Sequence, residues 1–106
     1  GKKLAAMAEV HYQELACHYT TSTLSTAAML HLNLSIPNCA VQEYAPPPPW
    51  MDEVIPHQLQ TRDGYLLRPE APGLGIDLDE AAAARHPHTS AEPPHLRRED
   101  GSVQDW

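Results

Sequence analysis

Four consecutive prolines at residues 46–49 limit the fold of this chain more than any other feature of its sequence. Proline has no backbone N–H and holds φ at about −65°, so this run predicts a polyproline II segment rather than a helix or a central strand. All but Pro37 of the 11 prolines lie after Ala45. We therefore treat residues 1–45 as regular structure and residues 46–106 as a Pro-rich connector, a hairpin and a tail.

Residues 1–45 alternate between helical and extended patterns. Apolar side chains recur three and four positions apart in two segments, which predicts two amphipathic helices, and a short apolar run follows each of them. Helix, strand, helix, strand with short connections is typical of parallel β/α units. The predicted elements are a helix over residues 2–11, a strand over residues 12–18, a helix that Ser22 or Thr23 caps and Pro37 ends, and a strand over residues 40–44.

Residues 54–80 predict a hairpin, and a short helix follows. Semi-apolar runs at residues 55–60 and 65–67 flank Arg62-Asp63-Gly64, and Asp-Gly between two such runs favours a tight turn. Asp79 is the predicted N-cap of a helix of one to two turns through Ala84. From Arg85 onward the polar, Pro-containing sequence predicts irregular structure.

Composition excludes several classes of partner. The 106 residues carry 7 Lys and Arg against 14 Asp and Glu, a net charge of −7. Nucleic-acid binding needs a basic surface, so we expect no nucleic-acid partner. The N-terminus does not resemble a signal peptide and no apolar run approaches the ~20 residues of a membrane span, which predicts a cytoplasmic protein without a membrane partner. Cys17 and Cys39 are then expected to be reduced, with a disulfide between them as the alternative.

His18 and Glu43 lie near the C-terminal ends of the two predicted strands. Strand alternation places His18 on the same side as Glu14 and Ala16, and places Glu43 on the same side as Val41. Reactive side chains collect at the C-terminal strand ends of parallel β/α folds. A histidine and a carboxylate on neighbouring strand ends can form an acid–base pair. The alternative is that His18 is a surface or core histidine without a catalytic role.

Zinc binding is a rival hypothesis for a chain with 7 His and 2 Cys. Structural zinc sites draw their ligands from closely spaced pairs. Cys17 and His18 are adjacent, so a strand sends them to opposite faces, and Pro87 separates His86 from His88 in the polar tail. The spacing therefore disfavours a zinc site.

Several segments, taken in order, resemble a known family. The resemblance is to the end of the enolase superfamily, and more narrowly to the mandelate racemase group and its acid-sugar dehydratases of the galactonate and mannonate dehydratase type. It is carried by residues 5–9, Ala16-x-His18, residues 25–32, 36–38 and 42–44, Pro56-His57, and residues 63–66, 72–80 and 99–106. The joint order of these segments, rather than any single one, makes the resemblance specific.

The resemblance implies an α/β fold, a modified TIM barrel with an N-terminal capping domain. Residues 1–45 would be its last two β/α units, and residues 46–106 would return to the capping domain. The implied chemistry abstracts the proton α to a carboxylate, with Mg²⁺ stabilising the enediolate, and then eliminates water. His18 would be the general acid–base residue, Glu43 would hydrogen-bond the substrate carboxylate or enediolate, and Trp106 would approach the pocket.

Two departures from the family pattern qualify these expectations. Relatives of the galactonate type carry Pro-His-Asn/Cys-Pro-Leu-Gly-Pro, whereas residues 17–23 here read CHYTTST. The Mg²⁺ ligands and a base belong to upstream strands, and a full barrel needs roughly 250 residues. We expect a fragment, incomplete as a fold and inactive alone, of a homo-oligomeric hydro-lyase whose partners are a sugar acid and the rest of its barrel and capping domain. The alternative is a non-catalytic structural or interaction module derived from such an enzyme.

Overall fold

The computed structural model describes residues 1–18, 22–90 and 96–104. Within these ranges helices and strands alternate at first, and short elements follow the prolines. The elements are α1 (Lys2–Val10), β1 (Leu15–Cys17), α2 (Thr23–Leu34), β2 (Cys39–Gln42), α3 (Met51–Val54), β3 (Thr61–Arg62), β4 (Tyr65–Leu66) and α4 (Glu80–Arg85).

The predicted parallel pair of strands is present. Leu15 of β1 is paired with Cys39, and Cys17 with Gln42, with one irregularity in the register after Leu15. β1 starts later than the predicted residue 12, because α1 ends in a turn in which Tyr12 adopts a left-handed φ of 55°. The backbone N–H of Tyr12 donates to Glu9 there, which removes residue 12 from the strand.

Helix α2 is fixed at its start by a cap and along its length by burial. Ser22 is the N-cap, since its hydroxyl accepts a hydrogen bond from the backbone N–H of Ser25 at 3.2 Å. Ala27 and Leu30 are buried against Leu59, and two half-buried side chains complete this cluster. Capping by Ser22 and the amphipathic pattern therefore placed this helix correctly.

The predicted strand over residues 55–60 is wrong. Directly after the prolines the chain forms α3, whose first N–H, at Met51, donates to the carbonyl of Pro48. Ile55 and Leu59 are buried in the core instead of alternating on a sheet. The hairpin is limited to β3 and β4, which pair antiparallel across Asp63-Gly64. Both turn residues have positive φ, 52° and 82°, as a two-residue hairpin turn requires.

Helix α4 begins as predicted at the N-cap Asp79, whose carboxylate accepts from the N–H of Ala82 at 2.9 Å. Ala82 is buried against Val54 and Ile55, which ties α4 to α3. An isolated antiparallel bridge between Arg97 and Val103 lies in the tail that the sequence predicted to be irregular. In the described part of the chain, no helix is both long and apolar enough to cross a membrane.

Candidate acid–base site

The structure brings His18 and Glu43 into direct contact. Each residue follows the last residue of its strand, and those last residues, Cys17 and Gln42, are paired in the parallel sheet. The Nδ1 atom of His18 lies 2.5 Å from Oε2 of Glu43. The two predicted site residues are therefore neighbours at the C-terminal edge of the sheet.

The burial pattern agrees with the predicted alternation along β1. Ala16 and His18 are exposed, whereas Leu15 and Cys17 are half-buried. On β2, Val41 and the following Glu43 are likewise exposed. The side chains of His18 and Glu43 are 74% and 50% exposed, so the pair is open to solvent in this structure. An ion pair with this exposure contributes only about 0.2–1 kcal/mol to stability.

Contact with a carboxylate sets the proton arrangement of the imidazole. A carboxylate only accepts hydrogen bonds, so Nδ1 of His18 donates to Glu43. In the neutral ring, Nε2 then carries the lone pair and can accept a proton. In the protonated ring, Nε2–H can donate one. The contact therefore leaves Nε2 as the atom through which His18 can act as a base or an acid.

Gln42 is a site neighbour that the sequence reasoning did not single out. Its side chain is half-buried and lies on the opposite face of the strand from Glu43, where it hydrogen-bonds Asn33 of α2. Strand alternation predicts this position, because it places Gln42 on the side opposite Glu43, and a polar side chain that is partly buried there needs a hydrogen-bond partner.

Both cysteines are free thiols, as the sequence predicted. The pKa of the Cys39 thiol is raised above its ordinary value. Partial burial is the largest cause, and the negative charges of Cys17 and Glu14 add to it. Of the histidines weighed for zinc, His86 stacks on Trp50 with ring centroids 4.7 Å apart. Its Nε2 atom is 3.6 Å from Oε2 of Glu53.

The residues present do not fit a Mg²⁺ site. Across residues 1–18, 22–90 and 96–104, no group of three or more His, Cys, Asp or Glu side chains could hold a metal ion. Trp106, the third residue expected near the pocket, lies outside the described residues. Within the described residues, the candidate site therefore consists of His18, Glu43 and the residues that hold these two side chains in place.

Comparison with known proteins gives consistent matches. The Enolase C-terminal domain-like family model matches residues 1–82. A D-mannonate dehydratase of Caulobacter sp. (strain K31) is 43% identical over 107 residues, covering 99% of this chain and 27% of that protein. A D-galactonate dehydratase family member of Streptomyces bingchenggensis (strain BCW-1) is also 43% identical, covering 99% of this chain and 26% of that protein.

Solved structures agree with these relatives. An enolase from Pantoea ananatis with bound D-gluconate and Mg superposes with a TM-score of 0.86 at 37% identity, over 96% of this chain and 26% of that chain. This chain thus spans about a quarter of the length of its relatives. The predicted resemblance to mandelate racemase-type enzymes and acid-sugar dehydratases is confirmed, and the chain belongs to the Enolase C-terminal domain-like family.

Proposed function

We propose that this chain supplies the acid–base pair of an acid-sugar dehydratase. The observation that carries the proposal is the 2.5 Å contact between His18 and Glu43 at the ends of two adjacent parallel strands. The relatives named as D-mannonate and D-galactonate dehydratases and the structural neighbour with bound D-gluconate support the substrate class, a sugar acid with a hydroxyl β to its carboxylate.

The proposed role of His18 is proton transfer at Nε2. In dehydration, a base removes the proton α to the carboxylate, and the electron pair of that C–H bond forms a double bond as the β C–O bond breaks. The leaving oxygen takes the C–O electron pair and accepts a proton from Nε2–H of His18, which gives water. Glu43 balances the imidazolium charge and holds the ring so that Nε2 faces the substrate.

Glu43 has a second proposed role at the carboxylate end of the substrate. Its Oε2 atom contacts His18, and we assign Oε1 to the substrate carboxylate or enediolate. It would act through an intermediary while Glu43 is ionised and balances the imidazolium, or as a protonated acid once His18 has given up its proton. Both roles require the substrate to lie over the C-terminal edge of β1 and β2, on the exposed face that these two side chains share.

We infer that the remaining parts of the site belong to other segments of a complete enzyme. Mg²⁺ would be held by acidic residues outside this chain, and residues 46–106 would return to a capping domain in a cytoplasmic homo-oligomer. On this proposal the 106-residue chain alone has no dehydratase activity. Its first 45 residues would act as the last two β/α units of a barrel that needs roughly 250 residues.

A chimera tests the function. This chain would replace the matching 27% of the Caulobacter D-mannonate dehydratase, and dehydration of D-mannonate and D-gluconate would be followed through the α-keto acid product. We expect an active chimera that loses activity in the His18→Asn variant. The unmodified Caulobacter enzyme and the isolated chain are the controls.

Two outcomes would count against the proposal. A chimera that folds and binds Mg²⁺ like the Caulobacter enzyme but does not turn over either acid would favour the non-catalytic module. Turnover by the isolated chain would contradict the assignment of the metal and the base to other segments. Circular dichroism and size-exclusion chromatography would establish the folded state in each case.

A further inference from the structure

We propose that Gln42 is a positioning residue that sets Glu43 against His18, a role that rests on the proposed function. Glu43 directly follows the last residue of β2, at the end of the paired part of the sheet. The ladder is also irregular after Leu15. Hydrogen bonds that hold the backbone of Glu43 therefore bear directly on the 2.5 Å contact between its carboxylate and the imidazole.

The side chain of Gln42 supplies that constraint. Its Nε2 atom donates to the backbone carbonyl of Glu43 at 2.7 Å. Its Oε1 atom accepts from Nδ2 of Asn33 at 2.5 Å. The Gln42 amide thus connects the backbone of Glu43 to helix α2.

The direction of this relay follows from the chemistry of its ends. A backbone carbonyl only accepts, so the NH₂ group of Gln42 faces Glu43, and its oxygen faces Asn33. Asn33 must then donate, and its own Oδ1 atom is buried with no hydrogen-bond partner among the described residues.

Asn33 is a firm anchor for the relay. It is 7% exposed and lies one turn after Leu30, which packs with Ala27 and Leu59 in the core. Because buried helix positions move little, the relay transmits the position of α2 to the backbone of Glu43.

The competing explanation is that Gln42 only stabilises the fold. Gln60 provides a matched control, because its Nε2 atom also donates to a backbone carbonyl, that of Gln58 at 3.1 Å. Gln60 lies just before β3 rather than at the strand ends that carry His18 and Glu43. Gln→Met keeps the length and flexibility of the side chain and removes the amide. The two variants would be made in the chimera, which contains the full chain.

We expect Gln42→Met to lower kcat about tenfold, the effect of losing one well-placed hydrogen bond, with a smaller change in KM. We expect Gln60→Met to leave both unchanged. The pH profile of kcat should move in the same direction in Gln42→Met as in Glu43→Gln, because both weaken the contact with His18. Asn33→Leu should reproduce the effect of Gln42→Met. An unchanged kcat and pH profile in Gln42→Met, with stability reduced, would overturn the positioning role.

A second measurement separates this proposal from the proposed function. The imidazole ¹⁵N signals of His18, recorded by NMR on the chimera, report the contact with Glu43 whether or not the protein turns over a sugar acid. Gln42→Met should shift them towards their values in Glu43→Gln, and Gln60→Met should not. Matching shifts in an inactive chimera would sustain the positioning role and count against the dehydratase. An active chimera in which Gln42→Met leaves the His18 signals unchanged would support the dehydratase function and overturn the positioning role.

Discussion

Replacing Glu43 with glutamine should separate activity from stability. The substitution keeps the size of the side chain and removes its negative charge. In the structure the carboxylate contacts Nδ1 of His18 at 2.5 Å, and the two side chains are 50% and 74% exposed. Solvent screens such a pair strongly, so the stability at risk is only about 0.2–1 kcal/mol.

The expected effect on activity is larger than the effect on stability. A neutral amide can either accept from or donate to Nδ1 of His18, so glutamine no longer specifies which ring nitrogen carries the proton. General acid–base catalysis contributes roughly 10²–10⁴-fold, and losing the correct proton arrangement forfeits part of that factor. We expect kcat of the chimera to fall at least about tenfold, while the urea midpoint changes little.

Glu53→Gln is the matched control. Glu53 is also an exposed glutamate in an ion pair, 3.3 Å from Arg85 and 57% exposed, but it belongs to α3 rather than to the strand ends that carry His18 and Glu43. Both variants should change stability by similarly small amounts, and only Glu43→Gln should lower kcat. Equal kcat in the two variants, or a large loss of stability in Glu43→Gln alone, would refute the assignment of Glu43 to proton chemistry.

Three further predictions address the fold and the cysteines. Leu30→Ala, which empties a core position that is 5% exposed, should destabilise the chimera by about 2–5 kcal/mol in urea denaturation, more than either glutamate variant. Because burial raises the pKa of Cys39, less thiolate is present at a given pH, and iodoacetamide should modify Cys39 more slowly at pH 8 than a cysteine in an unstructured peptide, as followed by mass spectrometry. The isolated chain, whose two-stranded sheets leave open edges, should melt without a cooperative transition in circular dichroism, and a sharp transition would favour an autonomous module.

The first half of the fold was predictable because its determinants are local. Ser22 caps α2 through its own hydroxyl. Of the apolar side chains that predict this helix, Ala27 and Leu30 are buried, whereas Leu34 is 56% exposed. The buried side also contains the polar residues Thr23, Thr26 and Asn33. The parallel pairing then follows from the helix between the strands, and it places the two strand ends together. The contact between His18 and Glu43 was therefore implied by the order of elements, although its length and hydrogen-bond direction were not.

The region after the prolines was predicted poorly because a side chain replaces backbone hydrogen bonds there. The Nε2 atom of Gln58 donates to the carbonyls of Met51 and Ile55. Its Oε1 atom accepts from the hydroxyl of Thr23, 35 residues earlier. These bonds bend residues 55–60 away from a strand, and no periodic pattern encodes them. The bridge between Arg97 and Val103 is different, since Asp100-Gly101 carries the same turn signal as Asp63-Gly64.

The exposure of the acid–base pair connects the fold to the proposed function. Water around His18 and Glu43 competes for their hydrogen bonds and screens their charges, whereas proton transfer in enzymes gains most in sites that exclude water. Two short parallel strands cannot enclose such a site, and the chain spans about a quarter of its relatives. We therefore expect the added barrel in the chimera to cover both side chains. The Glu43→Gln variant should then shift the His18 ¹⁵N signals more in the chimera than in the isolated chain, because the barrel both holds the two strands together and shields the contact from solvent.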